Sequence, residues 1–338
     1  MKTKSSNPIT QTLVFFALAL WLAVLCQGCD NKSGDPAPSA VQKKLRLVFI
    51  ANTPDDFWSV VRLGCDAATR QLGDVDLDFR FPAAPTAEAQ QELMSSLVAE
   101  GVDGIAVSPI DPEKQTDFLN GVAAKTLLVC VDSDAAASKR TCYIGIDNVT
   151  AGKQSAELLK AALPQGGKIA LLVSYPNAQN IKDRIEGLKA GLAGSTIQIM
   201  EPVADGAKIE VAQKNAGDEL SKNPDLAAID CLNGYQGPAV LTAVRGAGKA
   251  GQVKIVCFDD SNDTLDGIKS GDIFGTIVQP PFNTGYQTIL RMEKYFGGDK
   301  TQLADGKVLL PSNVVTKDKV DDFQTWRKTM LLKATDKK

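Results

Sequence analysis

Short runs of consecutive apolar residues alternate along this chain with longer stretches in which apolar positions recur every three or four residues. "LRLVFI", from Leu45, is followed by an amphipathic segment over Phe57–Leu72. "VDLDFRF" precedes a helical pattern over Thr86–Glu100, with Leu93, Leu97 and Val98 on one side. "GIAVSPI" precedes another over Lys114–Ala124, and "TLLVCVD" closes this series. "YIGIDN" opens a second series, with helical patterns over Ala151–Leu163, Asn180–Leu192, Lys208–Lys222, Gly237–Ala247 and Thr264–Ser270. Between them lie "KIALLVS", "TIQIMEP", "LAAIDCLN" and "KIVCFDD", and "IFGTIVQ" ends the alternation near Val278. Apolar strands separated by helices of this length read as βαβ units in parallel sheets. Two consecutive series predict an α/β protein of two doubly wound parallel-sheet lobes. A length of 338 residues agrees with two cores.

The first 29 residues read as a targeting segment and not as fold. Lys2 and Lys4 precede an apolar run of 13 residues, Leu13 to Leu25. That run is short for a membrane span and suited to a signal-peptide core. "LCQGC" follows and resembles a bacterial lipoprotein processing site, with Gly28 before Cys29 and Cys26 where a small or aliphatic residue is commoner. Cys29 is the expected lipidated residue, with ordinary signal cleavage nearby as the alternative. Residues 30–43 are rich in Pro, Ser, Ala and Asp, as a flexible tether would be. The expected location is therefore periplasmic or cell-surface, with a lipid anchor to a membrane.

Composition removes several function classes. The chain contains no histidine, which excludes Ser–His and Cys–His nucleophile pairs and histidine metal sites. The net charge is −3 with no basic run after the leader, which argues against nucleic acid as a partner. No GxGxxG or P-loop follows the first strand, so no nucleotide cofactor is expected. Five cysteines remain beyond the leader: Cys65, Cys130, Cys142, Cys231 and Cys257. An odd number without CxxC spacing gives no zinc site, and no metal is expected. Cys130 and Cys142 could pair in an oxidising compartment.

In open parallel sheets, ligands bind beyond the carboxyl ends of the strands. Asp55, Phe57 and Trp58 follow the first strand, although acids and aromatics also suit the start of a helix. Asp132 follows "LLVCV", and Pro109 and Asp111 follow "GIAVS", where Asp111 before Pro112 reads as a helix N-cap. In the second series the same edge carries Tyr175, Arg184, Asp205, Asn233, Asp259 and Gln279, with Asp260 expected to face solvent. Acceptor-only carboxylates beside Asn, Gln and Arg donors suit a neutral polyol, whose hydroxyls both donate and accept. Anionic ligands fit poorly, because one arginine faces several acids.

These residues, in this order, resemble the periplasmic sugar-binding proteins of the ribose/galactose type, the substrate-binding subunits of ABC importers. The likeness covers roughly residues 45–315 and rests on "DFW", "IGIDNVTAGK", "DRIEGL", "CLNG", "VCFDD" and "TIVQPP". It implies one sugar held between two lobes that close about three hinge crossings, near Asp147–Asn148, Gln279–Pro280 and Leu309–Ser312. The implied lobes are 44–147 plus 280–309 and 148–279 plus 310–332.

Carried over residue by residue, Phe57 and Trp58 match the aromatic pair that packs on the sugar. Asp55 takes a position that is often an amide in ribose binders. Asp132, Arg184, Asn233, Asp259 and Gln279 match ligand contacts. Ser133 stands where ribose binders carry an arginine, and Gly206 where many relatives carry a stacking ring; Tyr175 or Tyr235 could close that face instead. Asp147 and Asn148 are expected as hinge hydrogen-bonders, and Tyr175 either covers the rim or touches ligand. The implied function is a monomeric receptor delivering a monosaccharide or polyol to an ABC permease, with no covalent step. The alternatives are a sugar-sensing receptor for a membrane kinase or chemoreceptor, and a glycosidase using Asp132 and Asp259.

Overall fold

A computed structural model describes residues 44–335. The leader, Cys29 and the 30–43 tether lie outside the described residues.

β1 (Leu45–Ile50) leads through α1 (Asp56–Leu72) to β2 (Val75–Arg80), and α2 (Ala87–Ala99) leads to β3 (Gly104–Val107). α3 (Pro112–Ala123) connects to β4 (Leu127–Val131), and β5 (Cys142–Ile146) follows with no intervening helix. The chain then enters a second sheet through α4 (Asn148–Ala162), β6 (Gly167–Val173), α5 (Gln179–Leu192), β7 (Ile197–Ile199) and β8 (Val203–Ala204). That sheet continues through α6 (Ile209–Lys222), β9 (Leu226–Cys231), α7 (Gln236–Gly246) and β10 (Lys254–Phe258). α8 (Asn262–Ser270) and β11 (Gly275–Val278) complete this run. Beyond it come α9 (Pro281–Phe296), a 3-10 turn, β12 (Lys307–Leu310), β13 (Asn313–Thr316) and α10 (Val320–Thr335).

The strand orders are β12-β5-β4-β3-β1-β2 and β13-β11-β10-β9-β6-β7, with β8 also beside β6. Both sheets share one doubly wound order, each turning back on itself beside its first strand. They differ at the edge, where β12 runs parallel to β5 but β13 runs antiparallel to β11. The chain passes between the sheets at Asp147, at Gln279–Pro280 and at Pro311–Ser312. Leu310 still pairs with Ile146 in the first sheet, so the third passage falls just after it. Each sheet is covered on both faces by apolar side chains, giving two buried clusters per lobe.

Helix starts fall where side chains satisfy the free N–H groups of the first turn. Asp111 accepts from the Lys114 N–H at 3.3 Å, and Pro112 takes the first helical position, where no donor is needed. Asp147 accepts from the Thr150 N–H at 3.0 Å, so α4 begins at Asn148, ahead of the apolar periodicity that marks it in the sequence.

Cys130 and Cys142 are not bonded, and the register explains why. Cys130 pairs with Tyr143 and Val129 with Cys142, so the two cysteines stand on opposite faces of the sheet, in different cores. The five cysteines of the described residues are free and buried.

Two helix pairs approach so closely that only glycine fits at the crossing. A Cβ on Gly64 of α1 would lie 2.0 Å from the Phe282 carbonyl oxygen of α9, and one on Gly285 of α9 would lie 2.0 Å from that of Val61. In the second lobe, Gly152 of α4 and Gly187 of α5 meet the Arg184 and Val149 carbonyls at 2.1 and 2.0 Å in the same way. The helix entered at each of the first two passages is thereby pressed against a helix that carries pocket residues. Gly64→Ala is expected to lower stability by about 1–3 kcal/mol through overpacking. Gly121→Ala, on a helix surface with open space around it, should raise stability by about 0.4–1 kcal/mol. Urea unfolding midpoints at unchanged slope read both.

Candidate ligand-binding site

The carboxyl ends of the central strands of both sheets converge on one small cavity. From the first lobe it is lined by Asn52, Asp55, Phe57, Trp58 and Asp132. From the second come Tyr175, Asn180, Arg184, Asn233, Tyr235 and Asp259, with Gln279 at the second passage. The space is tight, about 40 Å³ of room for the centres of water molecules.

The two strand-end acids are built alike. Asp132 follows β4 and Asp259 follows β10, and both adopt left-handed backbone, with φ of 64° and 65°. Few L-residues tolerate that region, Asp among them. Each amide is held by the neighbouring strand, Asp132 N–H by the Ile144 carbonyl at 3.1 Å and Asp259 N–H by that of Ile277 at 2.8 Å. Each carbonyl is also held, by the Tyr143 hydroxyl at 3.1 Å and the Thr276 hydroxyl at 2.7 Å. The turn that results aims each carboxylate past the sheet edge into the gap.

Each carboxylate uses an oxygen on the protein. Asp132 accepts from Ser108 at 3.1 Å and, across the gap, from Asn180 at 3.2 Å. Asp259 accepts from Gln279 at 3.0 Å. Asp55 caps α1, accepting from the Trp58 N–H at 3.2 Å. Both readings of Asp55, helix start and pocket wall, therefore hold together.

Among the described residues, Arg184 is the only basic one lining the cavity, and it is 1% exposed. Its Nε donates to Asn148 at 2.9 Å, its Nη1 to the Leu232 carbonyl at 2.6 Å, and its guanidinium carbon lies 4.2 Å from the Phe258 ring centre. Nη2 is buried with no hydrogen-bond partner. Asn148 donates in turn to the Tyr143 hydroxyl at 3.2 Å, so this residue of the first passage positions Arg184. Asp147 caps α4 and Pro280 precedes α9; neither lines the cavity.

Two sequence expectations need correction. Asp205 is not a cavity wall; it accepts from the Tyr235 hydroxyl, from Gln236 at 2.6 Å and from the Ala207 N–H at 2.9 Å, and so holds Tyr235 in place. Asp260 does not simply face solvent, because Arg327 of α10 donates to it at 2.7 Å and its side chain is largely covered. Trp58 is 2% exposed and packs edge-on against Phe49 and Phe57, with its indole N–H on Asn52 at 2.9 Å. It offers the cavity one edge of a core residue. With the ring-bearing position at Gly206 empty, Tyr175 and Tyr235 both line the second-lobe side.

Asn52 and Asn180 were missed. Asn52 links Trp58 to Ser108, donating at 3.2 Å, and through it to Asp132. Asn180 lies one helical turn before Arg184, so the two share a face, and that i,i+4 spacing was the available signal.

Burial dominates the electrostatics. Desolvation raises Asp55 and Asp259 to about 7, each pushed further by the other acids of the cavity; the Trp58 N–H opposes this at Asp55, and Arg184 and Gln279 oppose it at Asp259. Asp132 is raised by burial against the pull of Arg184, Ser108 and Asn180. Asp230, behind the cavity and bonded to Ser155 at 2.7 Å, is raised by burial to about 7.

A sequence profile for the periplasmic binding protein domain matches residues 47–300. The chain belongs to that family. The ribose import binding protein RbsB of Bacillus subtilis (strain 168) is 23% identical over 294 residues, 86% of this chain and 94% of the relative. A Burkholderia graminis ABC transporter solute-binding protein, solved in complex with D-arabinose, superposes with a TM-score of 0.78 at 27% identity, over 82% of this chain and 97% of that one. The protein solved as the XylFII-LytSN complex superposes at 0.75 and 26% identity, over 81% and 98%. As in the solved sugar-binding proteins of its family, this periplasmic binding protein is α/β with two parallel-dominated sheets.

The raised carboxylates fix a pH dependence. A folded-state pKa above the unfolded value means that the fold holds protons the unfolded chain releases. Stability therefore falls as pH rises from about 4 to about 7 through these groups. The acids with lowered pKa, such as Asp111 and Asp272, act in the opposite sense only below about pH 4. The melting temperature of the ligand-free protein is expected to increase as pH drops from about 7.5 to 5. Asp259→Asn should flatten part of that slope; an unchanged slope would contradict the assignment.

Proposed function

We propose that this chain is an extracytoplasmic receptor that captures a monosaccharide or similar polyol between its lobes and delivers it to an ABC-type permease. The observation that carries this is the unpartnered Nη2 of buried Arg184, set in a cavity walled from both lobes by carboxylates, amides and aromatic edges. Asp55, Asp132 and Asp259 accept from ligand hydroxyls. Arg184, Asn233 and Gln279 donate, and Phe57, Trp58, Tyr175 and Tyr235 cover the C–H faces. An analogue that fits only partly leaves a buried polar group unpaired, which costs about 1–3 kcal/mol per group.

The lobes, 44–147 with 280–310 and 148–279 with 311–332, open and close by bending at Asp147, Asn148 and Pro280. The receptor works as a monomer, by a binding equilibrium without covalent chemistry. The 1–29 leader directs export, Cys29 takes the lipid, and 30–43 tethers the folded part to the membrane. A second reading is that the same capture feeds a membrane sensor; that a similar chain was solved in a complex, XylFII-LytSN, supports a protein partner for it.

Calorimetry against pentoses, hexoses and polyols is expected to give saturable heat for at least one sugar and none for amino acids or organic acids. Arg184→Met should weaken that sugar about 10- to 100-fold, the worth of a charged hydrogen bond. Heat from amino acids alone would overturn the ligand class. In cells, Cys29→Ser should move the protein from the membrane to the soluble fraction.

A further inference from the structure

The cavity gathers three carboxyl groups around one base, and burial holds those carboxyls partly protonated while no other cationic group faces them. Asp55, Asp132 and Asp259 line it, and Arg184 is its only basic residue among the described residues. Arg184 attracts both Asp132 and Asp259. Asp55 has no such partner: its charged neighbours are Asp56, Asp132 and Asp259. The wider groove outside the cavity contains Arg327, but Asp260 and Asn262 hold that side chain at 2.7 and 3.0 Å. Ser133, next to Asp132, supplies a neutral hydroxyl that is buried and unpartnered.

A guest made only of hydroxyls would leave Asp55 and Asp259 partly protonated, at the cost that burial imposes on their charged forms. A carboxylate or phosphate would bring a further acid into this space. An ammonium group would draw the carboxyls into their charged form, and brings three donors with no acceptor, which suits a wall of acceptors. The unpartnered Nη2 of Arg184 independently requires an acceptor on the same guest, and a hydroxyl supplies one.

We propose that the preferred ligand is an amino sugar, or a similar amine-bearing polyol, whose ammonium group sits against Asp55 while its hydroxyls meet Arg184, Asn233 and the remaining acids. This rests on the sugar-binding reading above and narrows its ligand class.

Calorimetry with the whole mature protein at about pH 6.5, where free amines keep their proton, compares three sets of sugars. D-glucosamine and D-galactosamine are measured beside D-glucose and D-galactose and beside the two N-acetyl derivatives. At least one amine is expected to bind about 10- to 100-fold tighter than its parent, with the advantage lost on acetylation. Asp55→Asn, which preserves the helix cap, should bring the amine-to-parent ratio to within about threefold, the scale of a neutral contact. That ratio is the readout, and not either affinity alone. Parent sugars binding as tightly as their amines would overturn the proposal and leave the sugar reading standing. An amine preference that persists undiminished in Asp55→Asn would overturn the role of Asp55. If none of the neutral, amino or acetylated sugars bound, while pentoses and polyols also failed, the sugar reading itself would fall.

Discussion

The guanidinium of Arg184 is the interaction on which the cleft depends. It is buried beneath the Phe258 ring, tied to Asn148 at the first passage and to the Leu232 carbonyl at the end of β9. Those bonds fix its plane and leave Nη2 without a partner. A buried charge survives only when others balance it, and here the balance comes from Asp132 of one lobe and Asp259 of the other. One side chain therefore links the electrostatics of both lobes to the strand that connects them. Removing it would leave acids facing acids.

The two lobes solve the same problem with the same parts. Each places an Asp in left-handed backbone just past a matching strand, β4 in one sheet and β10 in the other, and each locks that turn through the next strand. Each sends the chain out of one sheet into a helix that crosses its neighbour at glycines, α4 on α5 and α9 on α1. α1 and α5 are the helices that carry Trp58 and Arg184. The passages are thereby coupled to those helices through close backbone contact, where packing has little slack. The repetition is structural; no short repeat in the sequence announces it.

Much of this was legible before any coordinates. Unbroken apolar runs marked the strands because both sheet faces are covered, and the rule that ligands sit beyond strand carboxyl ends was enough to pick out Asp132, Arg184, Asn233 and Asp259. What escaped was of two kinds. α9 follows the last apolar strand and packs a broad face through Ile289 and Met292, but the alternation of strand and helix had ended, so no strand flanked it as a cue. Asp205 escaped because a strand-end acid that braces a tyrosine looks the same in sequence as one that meets a ligand. Trp58 both lines the cavity and packs in the core; how an aromatic after a strand divides between the two depends on helix rotation, which one sequence does not fix.

Across the gap the described residues offer few direct bonds: Asn180 to Asp132, Asn177 to Asp111 at 3.2 Å, and the exposed pair Lys182–Glu113. An exposed ion pair contributes roughly 0–1 kcal/mol, and a neutral hydrogen bond about 0.5–1.5 kcal/mol. Against them stands the burial of three carboxylates with a single guanidinium, strong enough to raise all three toward protonation. With nothing bound, burial holds these groups partly protonated, and a guest that satisfies their charged forms offsets that cost. A ligand shifts such an equilibrium only through contacts made in one state and not the other. Because the polar walls come from opposite lobes, most contacts with a guest exist only when the lobes meet. The burial that raises these carboxylates in the ligand-free protein is then the same quantity that selects a guest able to satisfy their charged forms.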